Sequence, residues 1–323
     1  MTTFDVCVVG GGVIGGAIAL AAADQGARVV QIADDGPAAS QAAAGMLCPS
    51  FEAMHEGGRG LAALGAASLA LWDGFAARLG DDLDYRRGGA LGVGYPPGML
   101  RGQPAAVPPG IAASGAVLVP NEGQVDPRRV VGALTACCRA IGVVRRSAVV
   151  TQLREANGEI EIESAAADGE AISARRVVLA TGATPGLAPS GLMRPVRGRA
   201  IRARLRAPLS LPGAGVLRSP SVYLCEKGDG TLYVGATEEE QGDRPGEAML
   251  NGLWHEACWL VPALRDAERL GVFDGLRPTT VDGLPVVGPD PERGGVFLAL
   301  GHHRNGVLLA PLTARRAAAW ATA

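Results

Sequence analysis

The sequence has little lysine and little histidine. Its 323 residues include four histidines and a single lysine, Lys227, which lies in residues 226–230, a stretch that predicts a hairpin turn. Schiff-base chemistry therefore has one poor candidate, and general acid–base catalysis has few. A reaction that needs little acid–base help, such as hydride transfer to a cofactor, fits this inventory best.

Cysteine motifs and strong charge are also absent. The six cysteines form no C-x-x-C pair, so we expect reduced thiols and no metal site. The net charge of −2 gives no electrostatic footprint for nucleic acid. The uncharged run 6–23 follows no basic residue and is interrupted by five glycines, unlike a signal peptide or a membrane helix. We expect a cytoplasmic protein without nucleic-acid or membrane partners.

The first thirty-three residues carry a nucleotide-binding pattern. A β-prone run over 4–9 leads into G-x-G-x-x-G, then an Ala-rich helical segment and a second strand over 27–32. Gly10 allows the tight turn, Gly12 lets a pyrophosphate approach the backbone, and Gly15 lets helix and strand pack closely. The N–H groups at the helix N-terminus then face the phosphates.

One member of this pattern is missing. An acidic residue at the end of the second strand normally binds the ribose hydroxyls. Here that position is Ala33, and Asp34 and Asp35 follow it. A one-residue shift of the loop would let Asp34 take the role; otherwise the ribose is held less well.

Three later segments carry a family resemblance. They are A-A-A-G-M-L at 42–47, G-L-R-P at 275–278, and G-H-H-R-N-G-V-L-L-A-P at 301–311. With the opening motif, and in the same order over nearly the whole chain, they resemble the D-amino acid oxidase superfamily of FAD-dependent oxidoreductases. The match is to its bacterial glycine oxidase branch, which serves thiamine biosynthesis.

The resemblance implies an α/β fold. It consists of a Rossmann-like FAD-binding domain built from separated segments, with an inserted antiparallel-sheet substrate domain. The first domain is expected over 1–84, 124–195 and 275–323, and the second over 85–123 and 196–274. Residues 95–120 are rich in Pro and Gly without periodicity, which predicts a long functional or mobile loop.

The resemblance also implies FAD as the cofactor. Related sarcosine oxidases attach flavin through a cysteine shortly before the late glycine-rich segment, and residues 272–277 contain none, so binding should be non-covalent. The expected cofactor contacts are Gly10, Gly12, Val13, Ile14, Gly15, Asp34, Ser40, Gln41, Ala44, Gly45, Met46, Val149, Thr181, Gly182, His303, Arg304, Asn305, Gly306 and Val307.

The substrate site follows from the same comparison. Arg277 is implied to bind a substrate carboxylate and Tyr223 to donate its hydroxyl to the same group, while Arg304 lies near flavin and substrate. An ion pair for Arg277 and simple core packing for Tyr223 are the alternatives. Met46, Glu238 and His303 are further pocket candidates. Glu238 either contacts the substrate amine or pairs with Arg304, or belongs to a solvated acidic turn over 238–240.

The implied reaction is oxidative deamination of a small amino acid, glycine first. Hydride passes from Cα to flavin N5, and O2 reoxidises the flavin to give H2O2. One alternative is an oxidase of other small amines (sarcosine, D-alanine, D-proline). Another is a D-amino or 2-hydroxy acid dehydrogenase that passes electrons to a carrier, and a third is a flavin-binding protein without amine oxidation. Whether the protein forms a homo-oligomer is left open.

Overall fold

The computed structural model describes residues 2–34, 36, 38–54, 58–165, 172–184, 186–240 and 247–323. Its strands, in chain order, are β1 (Thr2–Val9), β2 (Val29–Ala33), β3 (Met46–Leu47), β4 (Arg86–Arg87), β5 (Ala90–Val93), β6 (Gln103–Ala105), β7 (Ala116–Val119), β8 (Gly123–Gln124), β9 (Val144–Ser147), β10 (Val149–Ala156), β11 (Glu159–Ala165), β12 (Ile172–Leu179), β13 (Met193–Arg204), β14 (Val216–Arg218), β15 (Tyr223–Glu226), β16 (Leu232–Gly235), β17 (Glu268–Thr280), β18 (Val286–Pro289) and β19 (Val296–Leu300).

The helices lie between and after these strands in the chain. They are α1 (Val13–Asp24), α2 (Pro49–Glu52), α3 (Gly58–Leu69), α4 (Trp72–Leu79), α5 (Pro127–Ala140), α6 (Glu247–Leu260) and α7 (Gly306–Ala321). Helix α5 begins with a local capping pattern: Asp126 caps it by accepting a 3.0 Å hydrogen bond from the Arg128 N–H, and Pro127 occupies the first helical position.

The first large sheet has a parallel centre. Strands β9, β2, β1, β12 and β19 run parallel in that order, and β10, β11 and β18 extend it by antiparallel pairing. The inner strands are apolar runs buried on both faces, as a sheet covered on both sides requires. Helices α1, α5 and α7 pack together on one face. The carboxyl ends of the parallel strands therefore meet at one edge, where ligands bind in such sheets.

The second large sheet is antiparallel except for one pair. Its order is β17-β13-β16-β15-β14-β5-β7-β6, and β14 and β5 are parallel. Helix α6 buries Leu250, Leu253 and Trp254 in the core of this half. The α/β fold with a Rossmann-like unit and a second, mainly antiparallel sheet is thus confirmed.

The loop expected over 95–120 is partly wrong. This stretch contains β6 and β7, and β7 lies between β5 and β6 in the second sheet. The four-residue run Ala116–Val119 is too short to stand out among the surrounding prolines and glycines. Its strand conformation comes from pairing with a distant segment, which a local pattern does not show.

A three-stranded sheet joins the loop 42–46, called the cofactor loop below, to the rest of the chain. It has the order β3-β8-β4, so that Met46 and Arg86 both pair with Gln124. Within the described residues no single helix is long and apolar enough to cross a membrane. The pair Gly60–Leu69 and Trp72–Leu79, bent by 48°, passes that test of length and composition only when joined.

The two pairings of β7 predict its hydrogen exchange. Backbone amides over 116–119 should exchange slowly, because they lie inside a ladder, whereas a free loop would leave them open to solvent. Exchange measured by mass spectrometry on peptides covering 106–120 tests this. Complete exchange of 116–119 at the earliest time points would contradict the placement of β7 in the sheet.

Candidate active site

A cleft of about 900 Å³ runs from the edge of the first sheet to the second sheet. This size suits a large cofactor together with a small substrate. Of the expected site residues, all but Gly15 line it. Gly15 lies behind the wall, where a Cβ would overlap the carbonyl oxygen of Gly10, so its contribution is close packing rather than contact.

The glycine-rich turn closes one end of the cleft. Gly10 has φ +128°, and a Cβ there would overlap the Ala180 carbonyl, so only glycine fits. The Gln31 side chain donates a 2.9 Å hydrogen bond to the Gly10 carbonyl. At the start of α1 the Val13 N–H donates to Ser40 Oγ over 3.0 Å. The turn and helix N-terminus thus form the cradle that a pyrophosphate requires.

The ribose end of the cleft lacks a carboxylate on β2. Ala33 ends this strand and is buried, and Asp34 comes next and lines the cleft. Asp35 lies outside the described residues. Arg145 of β9 also lines this end, with Nη2 3.7 Å from the point that a Cβ on Gly11 would occupy. Asp34 therefore lines the cleft directly after β2, and its contact with the ribose stays a prediction.

The loop 42–46 forms one wall of the cleft. Gly45 has φ +79°, and a Cβ there would overlap the Val125 carbonyl. The Val125 N–H donates a 2.9 Å hydrogen bond to the Gly45 carbonyl, and the Tyr233 hydroxyl donates to the Ala42 carbonyl. The loop is therefore fixed by partners behind it and presents Ala44, Gly45 and Met46 to the cleft.

Arg277 projects from β17 across its neighbour β13. Its guanidinium lies over Gly198, where a Cβ would overlap Cζ. Nη1 donates to the carbonyls of Arg197 (3.3 Å) and Thr237 (3.1 Å), and Nη2 donates to that of Thr237 (3.1 Å). Within the described part of the chain it has no carboxylate partner within 4 Å. The Nε–H and one Nη2–H stay available, and together they match the two oxygens of a carboxylate.

Tyr223 projects into the same cleft from β15. It pairs directly with Gly235 of β16, where a Cβ would stand 2.5 Å from the tyrosine hydroxyl oxygen. Its ring stacks on Tyr233 with centroids 6.2 Å apart. Burial raises the pKa of Tyr223, with Arg277 acting in the opposite direction, so the hydroxyl stays protonated at neutral pH and is able to donate.

A buried carboxylate that sequence reasoning missed organises the floor of the site. Glu52, at the end of α2, accepts hydrogen bonds from Arg218 Nη1 (3.2 Å) and Asn305 Nδ2 (3.1 Å). Arg304 Nε lies 3.5 Å from the same side chain. Glu52 and Arg218 are 5% and 4% exposed, so this is a buried ion pair. Residues 49–52 carry no pattern that would have revealed it.

This network settles the partner of Arg304. Arg304 pairs with Glu52, whereas Glu238 lies beside His303, with His303 Nε2 3.7 Å from Glu238 Oε1. The pairing of Glu238 with Arg304 is therefore wrong. The acidic turn is not uniformly solvated either, because Glu239 is buried against Arg199 at 2.8 Å.

The two adjacent histidines are neutral at physiological pH. Burial lowers the pKa of His302 to about 4, and its Nε2 lies 3.0 Å from the Thr313 hydroxyl. Burial lowers the pKa of His303 to about 4 as well, with Glu238 opposing this effect and Arg277 and Arg304 reinforcing it. His303 therefore faces Glu238 as a neutral ring rather than as a cation.

The comparisons with known proteins identify the family. A family model described as FAD dependent oxidoreductase matches residues 5–320. The chain belongs to this family. It is 31% identical to a glycine oxidase of Geobacillus kaustophilus, over 96% of this chain and 90% of that protein. A crystal structure of glycine oxidase from Geobacillus kaustophilus superposes with a TM-score of 0.85 at 28% identity, covering 100% of this chain and 95% of that one.

A bifunctional ThiO/ThiG protein of Synechocystis sp. is also similar. It is 32% identical over 97% of this chain, which spans about half (51%) of that protein's length. These matches confirm the resemblance to the thiamine-type glycine oxidase branch and show that this chain is an FAD-dependent oxidoreductase.

The residues present fit FAD. The glycine cradle leaves no room for a Cβ at Gly10, and the cleft continues past Val149, Thr181 and Gly182 toward the loop 42–46. Within the described lining the only cysteine is Cys48. Burial raises the pKa of its thiol well above the ordinary value, so Cys48 is not a nucleophile at neutral pH and non-covalent binding of FAD stays our prediction.

The buried histidine predicts how stability depends on pH. In the unfolded chain His302 binds a proton near pH 6.5, whereas the folded protein keeps it neutral down to about pH 4. The unfolded state thus binds more protons in this window, so the free energy of unfolding falls as the pH drops through it, by on the order of 3 kcal/mol.

Urea unfolding of His302→Asn at several pH values tests this. The variant should lose part of the pH slope between 6.5 and 4, while His255→Asn, an exposed control on α6, should keep it. A His302→Asn slope equal to that of the unmodified protein would show that burial of this ring does not control the acid response.

Proposed function

We propose that this enzyme catalyses the oxidative deamination of a small amino acid, with glycine as the substrate. The observation that carries the proposal is the guanidinium of Arg277, the Arg277 fork, which two backbone carbonyls hold and which lines the cleft beside Tyr223. The glycine oxidases among its relatives support an amino acid as substrate.

Arg277 and Tyr223 orient the substrate. The arginine takes the carboxylate through two charge-assisted hydrogen bonds, and the tyrosine donates a third. A carboxylate fixed in this way allows little rotation of a molecule as small as glycine, so the Cα–H keeps one direction. FAD, when bound, would supply the acceptor for this hydride at N5, and O2 would take up the two electrons with two protons to give H2O2.

Glu238 is the acidic side chain proposed to contact the amine end of the substrate. Glu238 lines the cleft, and the neutral His303 beside it does not neutralise its charge. The ammonium proton passes to solvent water, which frees the lone pair that forms the C=N bond as the hydride leaves. Water then hydrolyses the released imine to the oxo acid and ammonia. The reaction requires no lysine or histidine as a general base, which agrees with the scarcity of these residues in the sequence. An amine is preferred over a hydroxy acid because a carboxylate favours a positively charged group.

We also propose that the two large sheets represent the two expected domains. The cofactor unit would hold the first sheet and the substrate unit the second. The proposed boundaries near 195 and 275 fall inside β13 and β17, which pair along almost their whole length. These two strands therefore run from one unit into the other and carry Arg277 to the junction.

Reduction of the flavin by glycine under anaerobic conditions tests the proposed reaction. Glycine should bleach the oxidised-flavin absorbance, and air should restore it with release of H2O2. Bleaching by sarcosine or D-alanine but not by glycine would assign another amine. Bleaching without peroxide under air would assign a dehydrogenase instead.

Replacement of Arg277 tests the carboxylate contact. Arg277→Ala should lower kcat/KM for glycine roughly a hundredfold or more, because both binding and orientation are lost. Arg269→Ala, on the exposed part of the same strand, should have little effect. If steady-state kinetics give Arg277→Ala the wild-type kcat/KM for glycine, Arg277 does not bind the substrate.

Replacement of Glu238 tests the amine contact. Glu238→Met should raise KM for glycine about tenfold with a smaller change in kcat, as expected for one lost charge-assisted hydrogen bond. Glu240→Met is the matched control, since Glu240 faces Arg194 at 2.8 Å instead of the cleft. Equal KM values for the two variants would return Glu238 to a purely structural role.

A further inference from the structure

The only lysine of the chain is buried behind the cofactor loop. Lys227 follows β15 and is 6% exposed. Its Nζ donates to the Ala44 carbonyl (2.6 Å), to Gln124 Oε1 (2.9 Å) and to the Val125 carbonyl (3.2 Å). Lys227 thus bonds the hairpin that carries Tyr223 to the loop that lines the cleft.

The three partners of Lys227 indicate its protonation state. All three are carbonyl or amide oxygens, which only accept hydrogen bonds. An ammonium has three N–H donors and satisfies all three oxygens, whereas a neutral amine has two. Burial lowers the pKa of Lys227, with Asp126 and Asp84 acting in the opposite direction. The geometry therefore favours a buried positive charge in which each donor has a partner.

Nothing in the hairpin itself requires this lysine. The turn is closed by backbone bonds between Lys227 and Thr231 (2.8 Å) and between Gly230 and Lys227 (2.9 Å), and Asp229 caps it through Thr231. Burying a cation among neutral groups is costly, so simple packing is better served by an apolar side chain. A role beyond packing would account for the charge.

The Ala44–Gly45 peptide is where that charge acts. Its carbonyl faces Lys227, and in a planar trans peptide the Gly45 N–H points the opposite way. A cation at the oxygen polarises the peptide and strengthens the N–H as a donor. Ala44 and Gly45 line the cleft, whereas Lys227 does not.

We propose that Lys227 is a positioning residue, which fixes the Ala44–Gly45 peptide so that its N–H and positive potential face the flavin. The proposal rests on the proposed placement of the flavin ring against residues 44–46. It implies that Lys227 favours bound and reduced cofactor, because a nearby positive potential stabilises the electrons that the ring accepts. It also implies that the hairpin formed by β15 and β16, called the substrate hairpin because it carries Tyr223, moves together with the cofactor loop.

Two properties of the holoenzyme test the role of Lys227 without any substrate. In Lys227→Met, FAD should dissociate at least about tenfold faster, as expected for the loss of a charge-assisted hydrogen bond. The flavin reduction potential should become more negative. Release is followed by the rise in flavin fluorescence on dilution, and the potential by equilibration with a redox dye.

Two further variants separate the possible causes. Asp229→Ala perturbs the same hairpin turn without touching Ala44, and should keep both wild-type values. Lys227→Gln keeps a hydrogen-bond donor without the charge. FAD should leave this variant more slowly than it leaves Lys227→Met, while the flavin reduction potential should stay more negative than in the unmodified protein. Lys227→Gln also allows the test if Lys227→Met does not fold.

Wild-type release and potential in Lys227→Met and Lys227→Gln would overturn the proposal, as would equal effects of Asp229→Ala and Lys227→Met. Because neither readout involves glycine, failure of the proposed reaction would leave this test intact.

Discussion

The packing of the Arg277 guanidinium over Gly198 is the constraint on which the rest of the site depends. No side chain larger than hydrogen fits beneath the guanidinium, and the Thr237 carbonyl accepts from both of its terminal nitrogens. A second glycine, Gly235, makes room for Tyr223 in the same way on the neighbouring strands. Arg277 and Tyr223, the two residues proposed to bind the substrate, therefore occupy space that exists only because Gly198 and Gly235 have no side chain.

Buried charge fixes the surroundings of these two residues. Glu52 joins Arg218 in the second sheet to Arg304 and Asn305 at the start of α7, and Lys227 joins the substrate hairpin to the cofactor loop. Glu52 has an opposite charge as its partner and Lys227 has three oxygens, as burial demands. The cleft is thus lined by groups that buried hydrogen bonds hold in place, which is what catalysis by orientation requires.

Much of this architecture could be predicted from the sequence. The strand, glycine turn and helix at the N-terminus follow local rules, and the Asp126–Pro127 helix start likewise needs only its neighbours. The Glu52 network could not be predicted, because its partners Arg218 and Asn305 lie more than a hundred residues away in the sequence. Strand β7 could not be predicted either, because its four residues carry no strand pattern and become a strand only by pairing with β5 and β6. The exclusion of an Arg304–Glu238 pair likewise required the fold, since proximity along a motif does not set which carboxylate an arginine meets.

The most direct test of the account is carboxylate binding to holoenzyme in which only Gly198 is changed. Acetate or glycolate, titrated while the flavin spectrum is recorded, should perturb the unmodified enzyme, and Gly198→Ala should weaken binding about tenfold or more by displacing the Arg277 fork. Gly271→Ala is the control on the paired strand, since a Cβ there meets nothing within 4 Å. Binding of equal strength in Gly198→Ala would contradict the claim that the packing of Arg277 over Gly198 forms the carboxylate site.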